Sequence, residues 1–161
     1  MPTQPTTDLC DQRPDAQVCD PVFSVFGGHP AFSGTIATVT VSADNALVRG
    51  VLERPGEGRV LVVDGRGDRR CALFGGTLAA VAAAGGWAGV VVNGSVRDVE
   101  EMAAQPVGVR ALAVFPRRGE RRGHSGEEGL TCQFAGVIVR EGEWLAADLD
   151  GIVVLPAAPG R

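Results

Sequence analysis

The chain has 161 residues, a formal net charge of −4 and a pI near 5.1, and its length suits one domain with a buried core. An acidic chain argues against direct nucleic-acid binding as the main function, because affinity for phosphates requires a basic surface. No apolar segment approaches the ~20 residues that cross a bilayer, so we expect no membrane span.

The amino-acid types present restrict the chemistry. All fifteen basic residues are arginine, and a chain without lysine cannot form a Schiff base with a carbonyl substrate or with pyridoxal phosphate. Acid–base chemistry must use His29, His124, a carboxylate or metal-bound water. The four cysteines show no CxxC spacing, and the first residues lack the basic and apolar regions of a signal peptide. We therefore expect free thiols in a cytoplasmic protein.

The first elements in chain order are a loose arm and a short helix. Residues 1–7 are predicted to be loose and polar. A helix is predicted to begin near Asp8, with Thr6 or Thr7 as its N-cap, and to end before Pro14.

A turn-rich segment follows, and we interpret residues 20–34 as loops packed by phenylalanine rings. His29 lies in this segment between a glycine and a proline. Its functional alternative is a metal ligand, but an isolated histidine in such a context is more typical of a loop.

The next segment predicts strand, helix and strand. Thr35–Val41 is rich in β-branched residues, and the helix that Asp44 caps is predicted to end at Leu52. Arg59–Asp64 reads as a strand buried on both faces. The Gly65–Gly67 turn after it resembles the start of a dinucleotide or methyl-donor loop. Arg70 replaces the third glycine of that motif, however, so we interpret the segment as an ordinary loop.

The stretch from Gly75 to Asp98 contains the strongest candidate site. A glycine pair precedes the alanine-rich helix Thr77–Ala84, and backbone N–H groups at a helix start can bind a carboxylate or phosphate. The strand Trp87–Val92 follows, and Arg97 and Asp98 come after it. Ligands of α/β sheets gather at the ends of parallel strands, so we expect these groups to face one ligand.

Beyond this stretch, residues 99–105 predict a short helix and Val109–Phe115 a strand. A glycine-rich charged segment, residues 116–129, includes His124. We interpret it as a solvated loop, with a partner-binding or anion-steering patch as the alternative. Its arginines are Arg117, Arg118, Arg121 and Arg122.

The last third of the chain predicts antiparallel strands. Short apolar segments alternate with turns over Cys132–Leu155, and residues 157–161 form a frayed tail. Asp148 and Asp150 are a possible carboxylate pair for a metal. A turn is the better interpretation, because Asp-Gly before an apolar strand is ordinary turn chemistry.

The residue types in the Gly75 to Asp98 stretch suit one kind of ligand. Magnesium is commonly held by one protein carboxylate plus water and substrate oxygens, and Asp98 can provide that carboxylate. Arg97 can stabilise a carbonyl or enolate oxygen, while the N–H groups of Gly75 to Leu78 hold a carboxylate. Together these groups describe a 2-oxo acid bound to a metal. The alternative is that the Arg-Asp pair only forms local ion pairs.

Six segments resemble, in order and spacing, one known family. They are FSVFGGHPAFSGTIATV, DNALV, GRVLVVDG, GWAGVVVNGSVRD, GVRALAVFPRRG and ADLDGIVVLP. The chain resembles the family of the regulator of ribonuclease E activity A and the 4-hydroxy-4-methyl-2-oxoglutarate aldolases, over about residues 8–156. The resemblance implies an α/β fold of the swivelling β/β/α type, with a central β-sandwich-like core flanked by helices. It further implies a single domain over residues 1–161 with loose termini, and a homotrimeric ring.

The family also assigns roles to residues at matching positions. Arg97 would contact the substrate together with Gly75, Gly76, Thr77 and Leu78. Asp98 would bind a divalent cation, Mg²⁺ or Mn²⁺, and would be catalytic together with Arg97.

The function implied is a class II, metal-dependent aldolase that cleaves 4-hydroxy-4-methyl-2-oxoglutarate to pyruvate and also decarboxylates oxaloacetate. The alternative, from the regulatory branch, is a non-catalytic protein that binds and inhibits ribonuclease E. That branch often breaks the Arg-Asp motif, which this chain keeps at Arg97 and Asp98. One departure concerns Gly76, because the aldolases usually carry an acidic residue twenty-one positions before the arginine. The chain thus lacks the carboxylate that in those enzymes would orient metal-bound water.

Overall fold

The computed structural model of the protein describes residues 3–120 and 126–160. The helices are α1 (Thr6–Gln12), α2 (Ala46–Leu52), α3 (Gly76–Ala84) and α4 (Val99–Ala103). The strands are β1 (Gln17–Val18), β2 (Ser24–Gly27), β3 (Phe32–Thr40), β4 (Val60–Asp64), β5 (Ala72–Phe74), β6 (Gly89–Val96), β7 (Gly108–Val114), β8 (Glu127–Glu128), β9 (Cys132–Phe134), β10 (Val137–Val139), β11 (Trp144–Ala147) and β12 (Ile152–Leu155).

A large mixed sheet organises the fold. Its centre is the parallel array β3-β4-β6-β7, and β5 lies parallel to the second half of β6. Antiparallel strands extend the sheet on both sides, with β11, β12 and β1 beyond β3 and with β2 beside β7. Strands β9 and β10 form a separate hairpin. The prediction of an α/β fold with a sheet core flanked by helices is confirmed, as are the antiparallel strands of the last third.

The central strands are buried on both faces, which explains their continuous apolar sequences. Leu61 and Val63 of β4 pack in the core on the side of α2 and α3. Val60 and Val62 point the other way, into a second core that includes β10, β11 and β12. Successive side chains of a strand alternate between faces, so a strand covered on both sides needs apolar residues at every position.

The Phe32 ring packs directly on the backbone of two neighbouring strands, β6 and β7. A Cβ atom added to Gly89 or Gly108, on adjacent strands, would overlap the Phe32 ring. The guanidinium of Arg110 lies 5.2 Å from the centre of that ring. Arg110 is buried and donates hydrogen bonds to the carbonyl oxygens of Pro30 and Asp148. Burial lowers the pKa of its guanidinium, which Asp148 partly offsets.

Several predicted boundaries need correction. Residues 6 and 7 belong to α1 and are not loose, and neither threonine caps the helix, because the N-cap is Pro5. Thr6 instead binds Asp148, to which its N–H donates at 2.8 Å and its hydroxyl at 2.7 Å. The predicted loops at 20–34 contain β2 and the start of β3.

The strand predicted at Trp87–Val92 is also displaced, since β6 begins at Gly89 and continues to Val96. Trp87 is buried before the strand, and its indole N–H lies 3.2 Å from the carbonyl oxygens of both Leu52 and Arg54. His124, Arg121 and Arg122, on which the charged-loop interpretation partly rests, lie outside the described residues.

Two further expectations from the sequence concern the cysteines and membrane-spanning helices. All four cysteines are free thiols, as expected. Among the described residues, no helix has the length and apolar character that a membrane span requires.

A matched pair of glycine substitutions tests the packing under Phe32. We expect Gly108→Ala to lower the free energy of unfolding by about 1–3 kcal/mol, because the added methyl group overpacks the core. Gly50→Ala, in α2, meets no atom within 4 Å and should raise that free energy by up to about 1 kcal/mol through helix propensity. Urea unfolding of both variants measures the difference. Equal effects of the two substitutions would contradict the packing argument.

Candidate functional site

Strand β6 brings the two halves of the candidate site together. Its first half pairs with β4, and its second half pairs with β5 through Ala72 opposite Ser95 and Phe74 opposite Val96. The N–H of Arg97 then donates to the carbonyl oxygen of Phe74 at 3.1 Å. The chain leaving β5 toward α3 therefore lies beside the chain leaving β6 toward α4.

Gly75 permits this close approach. A Cβ atom added there would lie 3.3 Å from each of three atoms, Arg97 Cγ, Arg97 O and Asp98 Oδ2. Asp98 has the left-handed conformation, with φ 58° and ψ 48°, and is the N-cap of α4. Aspartate tolerates this conformation better than most residues. The turn places both Arg97 and Asp98 on a shared cleft.

The cleft has a volume of about 330 Å³. It is lined by all six residues proposed from the sequence, namely Gly75, Gly76, Thr77, Leu78, Arg97 and Asp98. Helix α3 begins at the cleft without a side-chain cap, and its first internal hydrogen bond runs from Ala79 N–H to Gly75 O at 2.9 Å. The N–H groups of residues 76–78 precede that bond, which makes this helix start suitable for a carboxylate.

The Arg97–Asp98 ion pair is loose. Arg97 Nε lies 3.8 Å from Asp98 Oδ2, and the two side chains are 35% and 45% exposed. Arg97 Nη1 also donates to the carbonyl oxygen of Pro116 at 3.4 Å. Exposed pairs at this separation contribute little to stability. The interpretation of these residues as a purely structural pair therefore has weak support.

The cleft also contains residues that sequence reasoning missed. Asn45, the N-cap of α2, and Arg49 within that helix line it, and α2 follows β3 after a short connection. Arg49 Nε forms an ion pair with Glu53 Oε1 at 3.1 Å. The sequence does contain a signal for these two residues, because the segments of β3 and β6 are both predicted to be strands. Parallel strands in one sheet bring the helix starts after them to the same edge.

The donor set of the cleft suits a hard divalent cation. Asp98 provides a half-exposed carboxylate, and nowhere in residues 3–120 and 126–160 do three or more His, Cys, Asp or Glu side chains cluster as a metal cage. Magnesium and manganese sites often use one or two carboxylates and complete their coordination with water and substrate oxygens. A divalent cation of this kind fits the residues present.

Other candidates from the sequence lie elsewhere. Arg66 N–H donates to Asp64 Oδ1, and the N–H groups of Gly65 and Gly67 donate to Asn93 O. Since these donors are engaged and β5 follows instead of a helix, the segment is a turn and does not form a dinucleotide loop. His29 lies in an exposed connection between β2 and β3.

The turn interpretation of Asp148 and Asp150 is confirmed. Asp150 N–H donates to Asp148 Oδ1 at 2.9 Å, and Asp148 N–H donates to Gly151 O at 3.0 Å. Burial opposes ionisation of Asp148, but hydrogen bonds from Thr6, Asp150 and Gly151 outweigh it and hold its pKa below the ordinary value.

The buried cysteines are poor candidates for nucleophiles. Burial raises the pKa of Cys19 to about 12 and that of Cys132 to about 11. Burial and the adjacent Asp68 also raise the pKa of Cys71. Because the thiolate is the reactive form, these three thiols remain unreactive at neutral pH.

Comparisons with known proteins agree with the sequence resemblance. The family whose model matches the chain is RraA-like, described as Aldolase/RraA, over residues 6–154. A curated relative from Xanthomonas campestris pv. campestris strain B100 is 52% identical over 96% of this chain and 93% of its own length. It has the provisional name 4-hydroxy-4-methyl-2-oxoglutarate aldolase, as do other relatives at about 50% identity.

Two solved structures superpose closely. One is the RNA-processing inhibitor RraA from Thermus thermophilis, with a TM-score of 0.94 and 47% identity over 98% of this chain and 95% of that one. The other, from Geobacillus kaustophilus, is titled S-adenosylmethionine: 2-dimethylmenaquinone methyltransferase. Its TM-score is 0.93, with 44% identity over 96% of each chain.

Proposed function

Since the chain belongs to the RraA-like family, we propose that it is a divalent-metal-dependent aldolase that cleaves 4-hydroxy-4-methyl-2-oxoglutarate to pyruvate. Decarboxylation of oxaloacetate is proposed as a secondary activity. The observation that supports this most directly is the cleft in which the start of α3, Arg97 and Asp98 meet. The names of relatives at about 50% identity support the same activity.

Each part of the cleft has a proposed role toward a 2-oxo acid. The N–H groups at residues 76–78 hold the carboxylate next to the 2-oxo group. Arg97 is permanently charged and stabilises the oxygen that becomes an enolate when the C3–C4 bond breaks. Asp98 holds Mg²⁺ or Mn²⁺, which when bound supplies Lewis-acid polarisation of the 2-oxo group. A chain without lysine has no Schiff-base route to the same cleavage.

We propose that Arg49 recognises the second carboxylate of the substrate. The substrate has one carboxylate at each end, and the α3 start accounts for one. Arg49 lines the same cleft from α2, and its side chain is 43% exposed. Its Nε pairs with Glu53, which holds the guanidinium while its Nη groups can donate to a ligand.

The second candidate is a regulator of an RNA-processing enzyme. The neighbour from Thermus thermophilis is titled an RNA-processing inhibitor, and its identity of 47% is comparable to that of the aldolase-named relatives. Arg117 and Arg118 are exposed after β7 and are suitable contacts for an acidic surface of ribonuclease E. This function would need no chemistry at Asp98.

Three further features stay proposals for this chain. They are a single domain over residues 1–161, a homotrimer, and a cytoplasmic location. Of these three proposals, only the homotrimer bears on the site, because in a trimer a neighbouring subunit can contribute residues to the edge of the cleft.

Asp98→Asn tests the proposed metal role. Asparagine tolerates the left-handed conformation of residue 98 but removes the charge. We expect kcat/KM for 4-hydroxy-4-methyl-2-oxoglutarate, in a coupled pyruvate assay, to fall at least about 100-fold. EDTA should abolish turnover of the native protein, and excess Mn²⁺ should restore it. The matched control Glu100→Gln should remain within twofold. Full activity of Asp98→Asn, or indifference to EDTA, would refute the aldolase proposal.

Arg49→Ala tests the second-carboxylate proposal. We expect KM for 4-hydroxy-4-methyl-2-oxoglutarate to rise at least about tenfold, because one charge-assisted contact is lost. KM for 4-hydroxy-2-oxopentanoate, which lacks the distal carboxylate, should change little. Arg54→Ala is the control, since Arg54 pairs with Glu128 and does not line the cleft. A similar rise in KM for both substrates would show that Arg49 does not recognise the distal carboxylate.

A pull-down with ribonuclease E tests the regulatory candidate. If the regulatory function is present, we expect binding by the native chain, by Arg97→Ala and by Asp98→Asn. Arg117→Ala combined with Arg118→Ala should weaken it, because those side chains are the proposed contact. No recovery of the ribonuclease by the native chain would remove the support for this candidate.

A further inference from the structure

The position of the Gly76 side chain is taken by another residue. Gly76 is the first residue of α3, is buried and lines the cleft. A Cβ atom added to it would lie 2.7 Å from Glu101 Cβ and 3.1 Å from Glu101 Cδ, and it would overlap Glu101 Oε2. The carboxylate of Glu101, which comes from α4, therefore fills the space that any side chain at residue 76 would need.

Two carboxylates consequently lie over two consecutive glycines. Asp98 Oδ2 is 3.3 Å from the Cβ position of Gly75, and the Glu101 carboxylate lies at the Cβ position of Gly76. Asp98 and Glu101 are three residues apart at the start of α4, a spacing that places side chains on one side of a helix. The absence of side chains at both glycines makes room for this arrangement.

The Glu101 carboxylate has no charge partner in the part of the chain that the structure describes. Asp98 has only the loose contact with Arg97 at 3.8 Å, and no hydrogen bond or ion pair of Glu101 occurs within residues 3–120 and 126–160. Counted over the described residues, two anionic groups beside one arginine give a net negative charge at this part of the cleft. Such a charge favours a divalent cation, and affinity for cations increases with the number of nearby carboxylates.

We propose that Glu101 is a positioning residue that increases the affinity of Asp98 for a divalent cation by supplying from α4 the carboxylate that Gly76 does not provide. The inference rests on the proposed function, because it assigns the metal to Asp98. A glycine at residue 76 therefore does not leave this part of the cleft without a second carboxylate, because the carboxylate of Glu101 lies at the Cβ position of Gly76.

Glu101 could instead serve only to stabilise the start of α3, where a negative charge interacts favourably with the helix dipole. The two roles make different predictions. A structural role affects the melting temperature and leaves metal affinity unchanged. The proposed role affects metal affinity, and it depends on where the carboxylate lies and not on which helix bears it.

The test is a titration of the metal-free full-length chain with Mn²⁺ alone, followed by calorimetry, together with melting temperatures. We expect Glu101→Gln, which keeps the side-chain shape, to weaken Mn²⁺ binding about tenfold. Glu100→Gln removes the same charge from the neighbouring position and should change the affinity less than twofold. Asp98→Asn should abolish binding.

A second pair of variants tests the position of the carboxylate. Glu101→Gly should weaken Mn²⁺ binding at least as much as Glu101→Gln. Adding Gly76→Asp to Glu101→Gly should restore the affinity to within about threefold of the native value, because removing the Glu101 Cβ, which lies 2.7 Å from the Cβ position of Gly76, opens the space for an aspartate. Gly76→Asp alone should lower the melting temperature, since its side chain collides with Glu101.

The outcomes separate the two proposals. If the native chain binds no Mn²⁺, or Asp98→Asn binds as well as the native chain, the proposed function fails. If Asp98→Asn abolishes binding while Glu101→Gln leaves it unchanged, only the inference about Glu101 is overturned. Equal weakening by Glu100→Gln and Glu101→Gln, or a double variant that is folded but not restored, would overturn it as well.

Discussion

The candidate site depends on one close contact, in which the chain leaving β5 passes against the chain leaving β6. The hydrogen bond from Arg97 N–H to Phe74 O fixes the distance, and Gly75 allows it because a side chain would meet Arg97 and Asp98. The start of α3 and the Arg-Asp turn are thus held side by side by backbone geometry. Backbone held in this way is rigid, which is the requirement for groups that must face one ligand without rearrangement. Strand β6 is buried along its whole length, and the turn that follows it requires the left-handed backbone conformation at Asp98.

The elements that could be predicted from the sequence are those whose pattern is set by burial alone. Arg59–Asp64 indicates a strand because both of its faces are covered, and the structure has β4 at Val60–Asp64 with its three valines and one leucine buried. Strand β2 was missed for the opposite reason. It is a short edge strand with exposed residues, so its pairing with β7 leaves little trace in its own composition. The displaced start of β6 reflects Trp87, which is apolar because it packs against the end of α2 and not because it belongs to the strand.

The site was predictable to the extent that its groups are close in sequence to a glycine turn or a strand end. Gly75 to Leu78 and the Arg-Asp pair satisfy that condition, and the structure brings all six residues to one cleft. Arg49 and Glu101 do not satisfy it. The place of Arg49 at the cleft follows only when the predicted strands β3 and β6 are taken as parallel members of one sheet, and that of Glu101 depends on the packing of α4 against α3. The glycine at residue 76 is visible in the sequence, whereas the Glu101 side chain that occupies its Cβ position is visible only in the fold.

Fold similarity by itself does not select the function of this chain. Two neighbours with TM-scores of 0.94 and 0.93 bear titles that name an inhibitor and a methyltransferase, and curated relatives at about 50% identity bear an aldolase name. Function must therefore be argued from the cleft. The cleft contains charges of both signs, with Arg49 and Arg97 as its cations and with Asp98 and the adjacent Glu101 as carboxylates. An inhibitory surface has no need of two carboxylates over bare glycines. A small anion bound together with a divalent cation requires both kinds of charge within a few ångströms, and this arrangement favours the aldolase over the regulator.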